Sequence, residues 1–173
     1  QLAQARAVQM FSADHRFSAA DICRLHRVWL GPIYAWAGEY RVVNLGKGGF
    51  QFATAALIPG LMAKLEHNEL ARYTPCVPAT AGEVAKALAI VHAELVLLHP
   101  FRDGNGRMAR LLALLMALQA GLPPLDFSPL DGRGKRRYIA GIQAAMGGDY
   151  RLLTEMFVKV IDRTWKSVSS SGR

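Results

Sequence analysis

Cysteine is scarce in this sequence, and long apolar runs are absent. The two cysteines, Cys23 and Cys76, form neither a disulfide framework nor a Cys-x-x-Cys pair, which favours a reducing, cytosol-like compartment. No apolar run reaches the roughly 18 residues that a transmembrane helix needs, so we expect no membrane span. The first four residues lack an initiator methionine and the basic and apolar regions of a signal peptide, which suggests a piece of a longer protein.

The remaining composition is typical of one folded domain with a basic surface. The chain has 173 residues, of which 51% are hydrophobic, enough for a single core. Lys and Arg total 21 against 13 Asp and Glu, a net charge of +8 that indicates an anionic partner. Composition leaves open whether this is nucleic acid, a nucleotide, a membrane surface or an acidic protein. We expect one domain over 1–173, with its core at about 18–165 and a frayed tail at 167–173.

Apolar spacing predicts about seven helices. The strongest helical period runs from Val84 to Leu98, where apolar residues recur every three or four positions until Pro100. A second apolar helix follows over about 107–120. Shorter helices are predicted before Phe11, over 22–33, 59–70 and 135–146, and after 149. The chain is therefore predicted to be all-α apart from one hairpin.

The hairpin is predicted where β-prone residues flank a run of glycines. Tyr40–Leu45 and Phe50–Phe52 enclose Gly46-Lys47-Gly48-Gly49, a pattern typical of a tight turn between short strands. Because an isolated hairpin is only marginally stable in water, we expect it to lie on the helical body or to be mobile.

The loop between the two most apolar helices carries the residues suited to chemistry, His99-Pro100-Phe101-Arg102-Asp103-Gly104-Asn105-Gly106-Arg107-Met108-Ala109-Arg110. A glycine turn entering a helix leaves backbone N–H groups free at the positive end of the helix dipole, an anion site. Arg107 and Arg110 share a face of the first turn, where a bound polyanion would make two cations favourable. Asp103 can hold Mg²⁺ beside phosphates, and His99 can act as a base near neutral pH. The residues thus indicate a phosphoryl centre without specifying the reaction.

Three other motifs compete with this interpretation, and each lacks part of its pattern. Gly104–Ala109 fits the glycine fingerprint of dinucleotide-binding folds, but a helix and not a strand precedes it. His92-Ala93-Glu94 fits the start of a zinc deaminase motif, but no Pro-Cys-x-x-Cys follows. A nucleic-acid-binding module stays an alternative because of a basic cluster without interleaved aromatic residues, Arg133, Lys135, Arg136 and Arg137.

The segment from His99 to Arg110 resembles the signature of the Fic family, in which His, an aromatic residue, an acidic residue, Gly-Asn-Gly-Arg and a further Arg recur in order. Trp36-Ala37-Gly38, Arg41 and the glycines of the hairpin look like the family's flap region. Gly121, Pro123-Pro124 and the last two helices look like its downstream half. The resemblance covers roughly 18–165 and implies the Fic fold, a bundle of about seven helices with a β-hairpin flap.

This resemblance implies a protein adenylyltransferase that moves AMP from ATP to a Tyr, Thr or Ser hydroxyl of a target protein and releases pyrophosphate. A related phosphotransferase or another nucleotidyltransferase on the same fold is the alternative. By analogy, His99 would be the general base and Asp103 would hold Mg²⁺. Phosphates would lie on Gly104, Asn105, Gly106, Arg107 and Arg110.

The resemblance also suggests where the target and the adenine base would lie. The target segment would align by strand-like pairing with Leu45, Gly46, Lys47, Gly48 and Gly49. Tyr138 and Gln143 could border the base. The compartment would be the bacterial cytoplasm, or the host cytosol for a translocated effector.

The inhibitory motif of many Fic proteins is missing from this sequence. That motif has Ser or Thr, three residues, then Glu and Gly or Asn, and its Glu pairs with the second arginine of the signature. Thr80-Ala81-Gly82-Glu83 has a different spacing. The inhibitory helix therefore lies in a missing segment, or comes from a small antitoxin-like partner whose Glu would approach Arg110, or is not used.

Overall fold

The computed structural model describes residues 2–77 and 80–171 of the chain. The helices are α1 (Leu2–Gln9), α2 (Ala19–Leu30), α3 (Ile58–Leu65, continued by a π-helical segment Glu66–Leu70 and a turn Ala71–Tyr73), α4 (Ala81–Leu98), α5 (Asn105–Gln119), α6 (Lys135–Ala145) and α7 (Arg151–Ser171). Strands β1 (Gly46–Lys47) and β2 (Phe50–Gln51) pair antiparallel, with Gly46 opposite Gln51 and Lys47 opposite Phe50. The predicted helical bundle with a small hairpin is confirmed.

Helix α4 lies at the centre of the bundle. It packs against α7, α5, α6 and α3, and twelve of its eighteen residues are buried, so apolar side chains cover more than one of its faces. Helix α5 is also largely buried and packs against α4. The loop between these two helices is therefore held at both ends by the core.

Side-chain caps fix where α2 and α4 begin. Ser18 and Asp21 form the reciprocal bonds of a capping box at the start of α2, as their spacing predicts. Thr80 and Glu83 form the same arrangement at the start of α4. The segment that has the wrong spacing for an inhibitory motif is therefore the N-terminal cap of the central helix.

Helix α2 is shorter than its apolar spacing predicts. It ends at Leu30, and Ile33, which fits the helical period, lies beyond the helix with 69% of its surface exposed. The hairpin strands are also shorter than predicted. Strand β1 lies within the predicted turn and not in Tyr40–Leu45, because Lys47 pairs with Phe50 and leaves only Gly48 and Gly49 for the turn.

Helix α7 is longer than predicted and includes most of the segment interpreted as a frayed tail. Hydroxyl groups of Ser167, Ser169 and Ser170 donate to the carbonyl oxygens four residues earlier, so these polar side chains are satisfied along the helix. Residues 172–173 of that tail lie outside the described residues. Within 2–77 and 80–171, none of the helices has the combined length and apolarity of a membrane span.

Acid should destabilise the fold through His92, which lies inside the bundle on α4. Its Nε2 shares a 2.8 Å hydrogen bond with the Tyr138 hydroxyl, and burial lowers its pKa to about 4. The unfolded chain takes up this proton near pH 6.5, so the stabilisation is present above pH 6.5 and is lost as pH falls through 4. We expect the contribution of this residue to the free energy of unfolding, measured by urea denaturation, to fall by about 3 kcal/mol between neutral pH and pH 4.

The matched comparison is His92→Asn against His67→Asn, since His67 is exposed on α3. The first variant should flatten the dependence of stability on pH and the second should leave it as in the wild type. Equal slopes in both variants would show that His92 is not the group that titrates.

Candidate active site

His99 ends helix α4 in a left-handed backbone conformation, with φ of 50°. Pro100 disfavours helical geometry at the residue before it, which is why the helix stops here. The ring Nδ1 lies 3.1 Å from the carbonyl oxygen of Val96. A carbonyl only accepts hydrogen bonds, so Nδ1 carries the proton and Nε2 keeps its lone pair. The imidazole is therefore oriented to accept a proton at Nε2.

The surroundings of His99 keep its ring neutral. Partial burial lowers the pKa of the imidazole, and the nearby positive charges of Arg41 and Lys47 lower it further. Phe52, just after strand β2, stacks on the ring with centroids 3.6 Å apart and an interplanar angle of 12°. The hairpin thus contacts His99 directly, as expected for a hairpin that lies on the helical body.

The glycine loop is closed by the side chain of Asn105. Its Oδ1 accepts from the Phe101 N–H and its Nδ2 donates to the Phe101 carbonyl, both at 2.8 Å. Asn105 and the Phe101 ring are buried. The side chain of Asn105 thus shapes the loop, and the backbone of this turn is what faces outward at the exposed Gly106.

Only glycine fits at position 104. Gly104 has φ of 82° and precedes α5 without a side-chain cap. A Cβ there would lie 2.9 Å from Trp29 Cζ3 and 3.4 Å from His26 Nε2. The first turn of α5 therefore begins at a backbone position packed tightly against α2.

His26 is a site residue that the sequence analysis missed. Its Nδ1 accepts from the Gly38 N–H at 2.8 Å, so its Nε2 carries the proton and donates to the Asp103 carbonyl at 3.1 Å. The ring stacks on Phe101 at 3.8 Å and is fully buried. Burial lowers its pKa, which keeps this bridging tautomer neutral. His26 lies among apolar residues of a helix, and nothing in the sequence indicates that it bonds to Asp103, 77 positions away.

Two charged side chains stand at the open end of the loop. The carboxylate of Asp103 lies 3.2 Å from Arg107 Nη2, and both side chains are about 60% exposed. The Arg107 guanidinium also lies over the Trp29 ring, 4.6 Å from its centre. One exposed carboxylate near the N-terminus of α5 is compatible with the predicted Mg²⁺ ligand, because Mg²⁺ binds through one or two carboxylates together with phosphate oxygens.

Arg110 is held by a carboxylate that the sequence analysis did not assign. Its Nη2 and Nη1 bind the two oxygens of Asp131 at 2.7 and 3.0 Å, a bidentate pair. This bond raises the pKa of Arg110 and lowers that of Asp131. The guanidinium is about one-third exposed, so it remains accessible at the same end of α5 as Arg107.

The predicted flap residues form the tip of the hairpin. Gly48 and Gly49 both have positive φ, which a two-residue turn of this type requires. The hairpin is otherwise exposed from Gly46 to Gly49, and Leu45 is half-buried. The positive charge of Lys47 lies close enough to His99 to affect its pKa. Strand β1 therefore lies beside His99.

The two residues predicted to border the adenine base lie in different surroundings. The Tyr138 hydroxyl is bonded to the buried His92, and its ring packs on the core near Arg110. Gln143 is exposed one and a half turns further along α6. The basic cluster is also exposed at the start of α6, where Arg137 pairs with Glu155.

The chain matches a family model and several proteins that are named protein adenylyltransferases. The model of the Fic/DOC family matches residues 16–117. A protein named protein adenylyltransferase fic-1 from Caenorhabditis elegans is 48% identical over 146 residues, 82% of this chain and 27% of that protein. Protein adenylyltransferase VbhT from Bartonella schoenbuchensis is 31% identical over 110 residues, 64% of this chain and 23% of that protein. The chain thus spans about a quarter of the length of these relatives.

Solved structures share the same fold. The structure of BepC from Bartonella tribocorum with bound AMPPNP has a TM-score of 0.70 at 22% identity, over 92% of this chain and 82% of that one. Residues 134–508 of Fic-1 from C. elegans give a TM-score of 0.71 at 26% identity, over 98% of this chain and 50% of that one.

Proposed function

Because this chain belongs to the Fic/DOC family, we propose that it transfers AMP from ATP to a Tyr, Thr or Ser hydroxyl of a target protein. The names of the relatives support this reaction class. The observation that carries the proposal is that one loop connects His99, whose Nε2 is unprotonated, to the N-terminus of α5, the helix that carries Arg107 and Arg110. A proton acceptor next to an anion site is what nucleotide transfer to a hydroxyl requires.

The phosphates of ATP would lie on the backbone of the glycine turn. The N–H groups of Gly104, Asn105 and Gly106 lie at the positive end of the α5 dipole. Arg107, in the first turn of α5, and Arg110, three residues further along, would bind the β- and γ-phosphates. We propose that Tyr138 and Gln143 border the adenine base, with Tyr138 contributing its ring edge because its hydroxyl is used by His92.

In the proposed reaction, Nε2 of His99 takes the proton of the target hydroxyl as its oxygen attacks the α-phosphorus. The new phosphorus–oxygen bond forms as the bond between the α-phosphorus and the bridging oxygen to the β-phosphorus breaks, and pyrophosphate leaves. Arg107 and Arg110 would balance the charge that develops on the leaving group. The hairpin from Leu45 to Gly49 would hold the target as an added strand.

Asp103 is the residue that would hold Mg²⁺. When bound, the ion would neutralise part of the phosphate charge. The pairing of Asp103 with Arg107 is exposed to solvent and thus weak enough to rearrange when nucleotide and metal bind.

Transfer of AMP can be separated from transfer of phosphate by the position of the label. A lysate is incubated with the protein, Mg²⁺ and ATP labelled either on the α- or on the γ-phosphate. We expect protein-bound label that exceeds the label in the lysate alone only with the α-labelled nucleotide, with AMP found on a hydroxyl side chain by mass spectrometry. An excess of label from the γ-position over the lysate alone would instead identify a phosphotransferase. A salt-dependent gel shift with DNA or RNA, without protein labelling, would favour a nucleic-acid-binding module.

We also propose that regulation acts at Arg110. An inhibitory glutamate supplied by a small antitoxin-like partner would have to displace the carboxylate of Asp131, which already binds this arginine in a bidentate geometry. Co-purification of the native protein tests this. We expect a small partner whose glutamate, changed to Gln, no longer inhibits labelling; a protein that purifies alone at full activity would contradict it.

A further inference from the structure

A charged side chain lies inside the protein between the hairpin and His99. Arg41 is 1% exposed, and within residues 2–77 and 80–171 its guanidinium is paired with no carboxylate. Removing a cation from water is unfavourable unless other polar groups replace the water. The hydrogen-bond partners of this guanidinium therefore show which parts of the chain it connects.

Those partners are backbone carbonyls on both sides of the site. Nε donates to the His99 carbonyl and Nη1 to the Val43 carbonyl, each at 2.7 Å, and Nη2 donates to the Ala53 carbonyl. Val43 precedes the hairpin and Ala53 follows it. One planar guanidinium thus joins both ends of the hairpin to the backbone of His99.

The end of α4 supplies the compensating negative charge. The last carbonyls of a helix have no partner within it and carry the negative end of the helix dipole. Arg41 Nη2 lies 3.4 Å from the Leu98 carbonyl, and the Arg41 N–H donates to the Pro100 carbonyl at 2.8 Å. The uncommon left-handed backbone of His99 is therefore held from both sides by one residue.

We propose that Arg41 is a positioning residue that fixes the hairpin and the catalytic histidine as one rigid unit, so that a target segment bound on the hairpin meets His99 Nε2 in register. The inference rests on the proposed function, because it gives Arg41 a role in delivering the target. The stacking of Phe52 on the His99 ring is the second connection between the same two parts.

Arg41→Lys tests the geometry separately from the charge. Lysine keeps the cation but presents one ammonium group, which cannot reach carbonyls on opposite sides. Because a misplacement of about 1 Å can reduce rate about 100-fold, we expect kcat/KM for the target to fall by that order. The Kd for ATP should stay within about threefold, because the hydrogen bonds of Arg41 in the described part of the chain go to Leu98, His99, Pro100 and the ends of the hairpin, and not to the glycine turn.

The matched control is Arg16→Lys, since Arg16 also donates to a backbone carbonyl, that of Ala71, but on the exposed surface. It should behave as the wild type. Arg41→Lys with unchanged kcat/KM would overturn the proposal. A fall in target turnover and ATP-binding stoichiometry by the same factor would reveal loss of folded protein, and hydrogen exchange on the wild type then decides between support and refutation.

Hydrogen exchange on the wild-type protein tests the rigid unit without nucleotide or target. The amides of Arg41, Phe52 and His99 donate to Pro100, Leu45 and Leu95, respectively. If they open together, their protection should agree within about tenfold, whereas a Phe52 amide that exchanges about 100-fold faster than that of His99 would refute the proposal. This measurement also decides the matter if Arg41→Lys does not fold. A wild type that shows uniform protection but transfers no AMP would contradict the proposed function alone.

Discussion

Replacing His99 with alanine should abolish AMP transfer while leaving ATP binding intact. A general base contributes about 10²–10⁴-fold to rate, and His99 Nε2 is the unprotonated nitrogen beside the loop. The phosphates would be held by the backbone of the glycine turn and by arginines, none of which depends on this ring. We therefore expect labelling to fall by at least about 100-fold, with the Kd for ATP by calorimetry within about threefold.

A second substitution separates the base from its backbone. Asparagine tolerates left-handed φ better than alanine does and has no basic nitrogen, so His99→Asn should be as inactive as His99→Ala with less loss of stability. His67→Ala, on the exposed face of α3, should retain wild-type activity. Near-normal labelling by either His99 variant would refute the assigned role.

Replacing Arg110 with alanine should weaken ATP binding by about 10-fold to 100-fold. Hydrogen bonds to a charged group contribute about 1.5–3 kcal/mol, and each 1.4 kcal/mol is a factor of ten in affinity. The loss of its ion pair with the half-exposed Asp131 should cost the fold less than about 1 kcal/mol. Calorimetric titration with ATP and thermal denaturation measure the two effects separately.

Two variants control this experiment. Arg163→Ala removes another exposed arginine, which lies far along α7 and pairs with Asp126. This variant should bind ATP as the wild type does. Asp131→Asn frees Arg110 from its charged partner and should leave ATP binding unchanged or tighter. If Arg110→Ala binds ATP with wild-type affinity, the γ-phosphate is held elsewhere.

The parts of the fold that the sequence predicts are those fixed by local pattern. The period of α4, the Ser18 cap of α2 and the glycine turn of the hairpin each depend on residues within about four positions. The extension of α7 into the serine-rich segment is not predicted by the sequence pattern, and hydroxyl bonds to carbonyls within the helix are compatible with helical structure there.

The parts that the sequence does not predict depend on distant contacts. Arg41 binds a carbonyl 58 positions away, and His26 binds one 77 positions away, with no motif to mark either pair. Asp131, which binds Arg110, lies between two short 3₁₀ turns, Ser128–Leu130 and Gly132–Gly134, that no sequence pattern predicted. The sequence motif was enough to identify the candidate reactive residues, whereas the residues that hold them in place could be identified only from the structure.

The bonds between Asn105 and Phe101 fix the backbone of the glycine loop before any ligand arrives. A triphosphate that binds there loses its own freedom and that of two arginine side chains, but it does not have to order the loop. The entropy penalty of binding is therefore smaller than it would be for a loop that has to become ordered around the phosphates. Binding should proceed at the speed of side-chain rotation and diffusion, since no slower folding of the loop has to precede it.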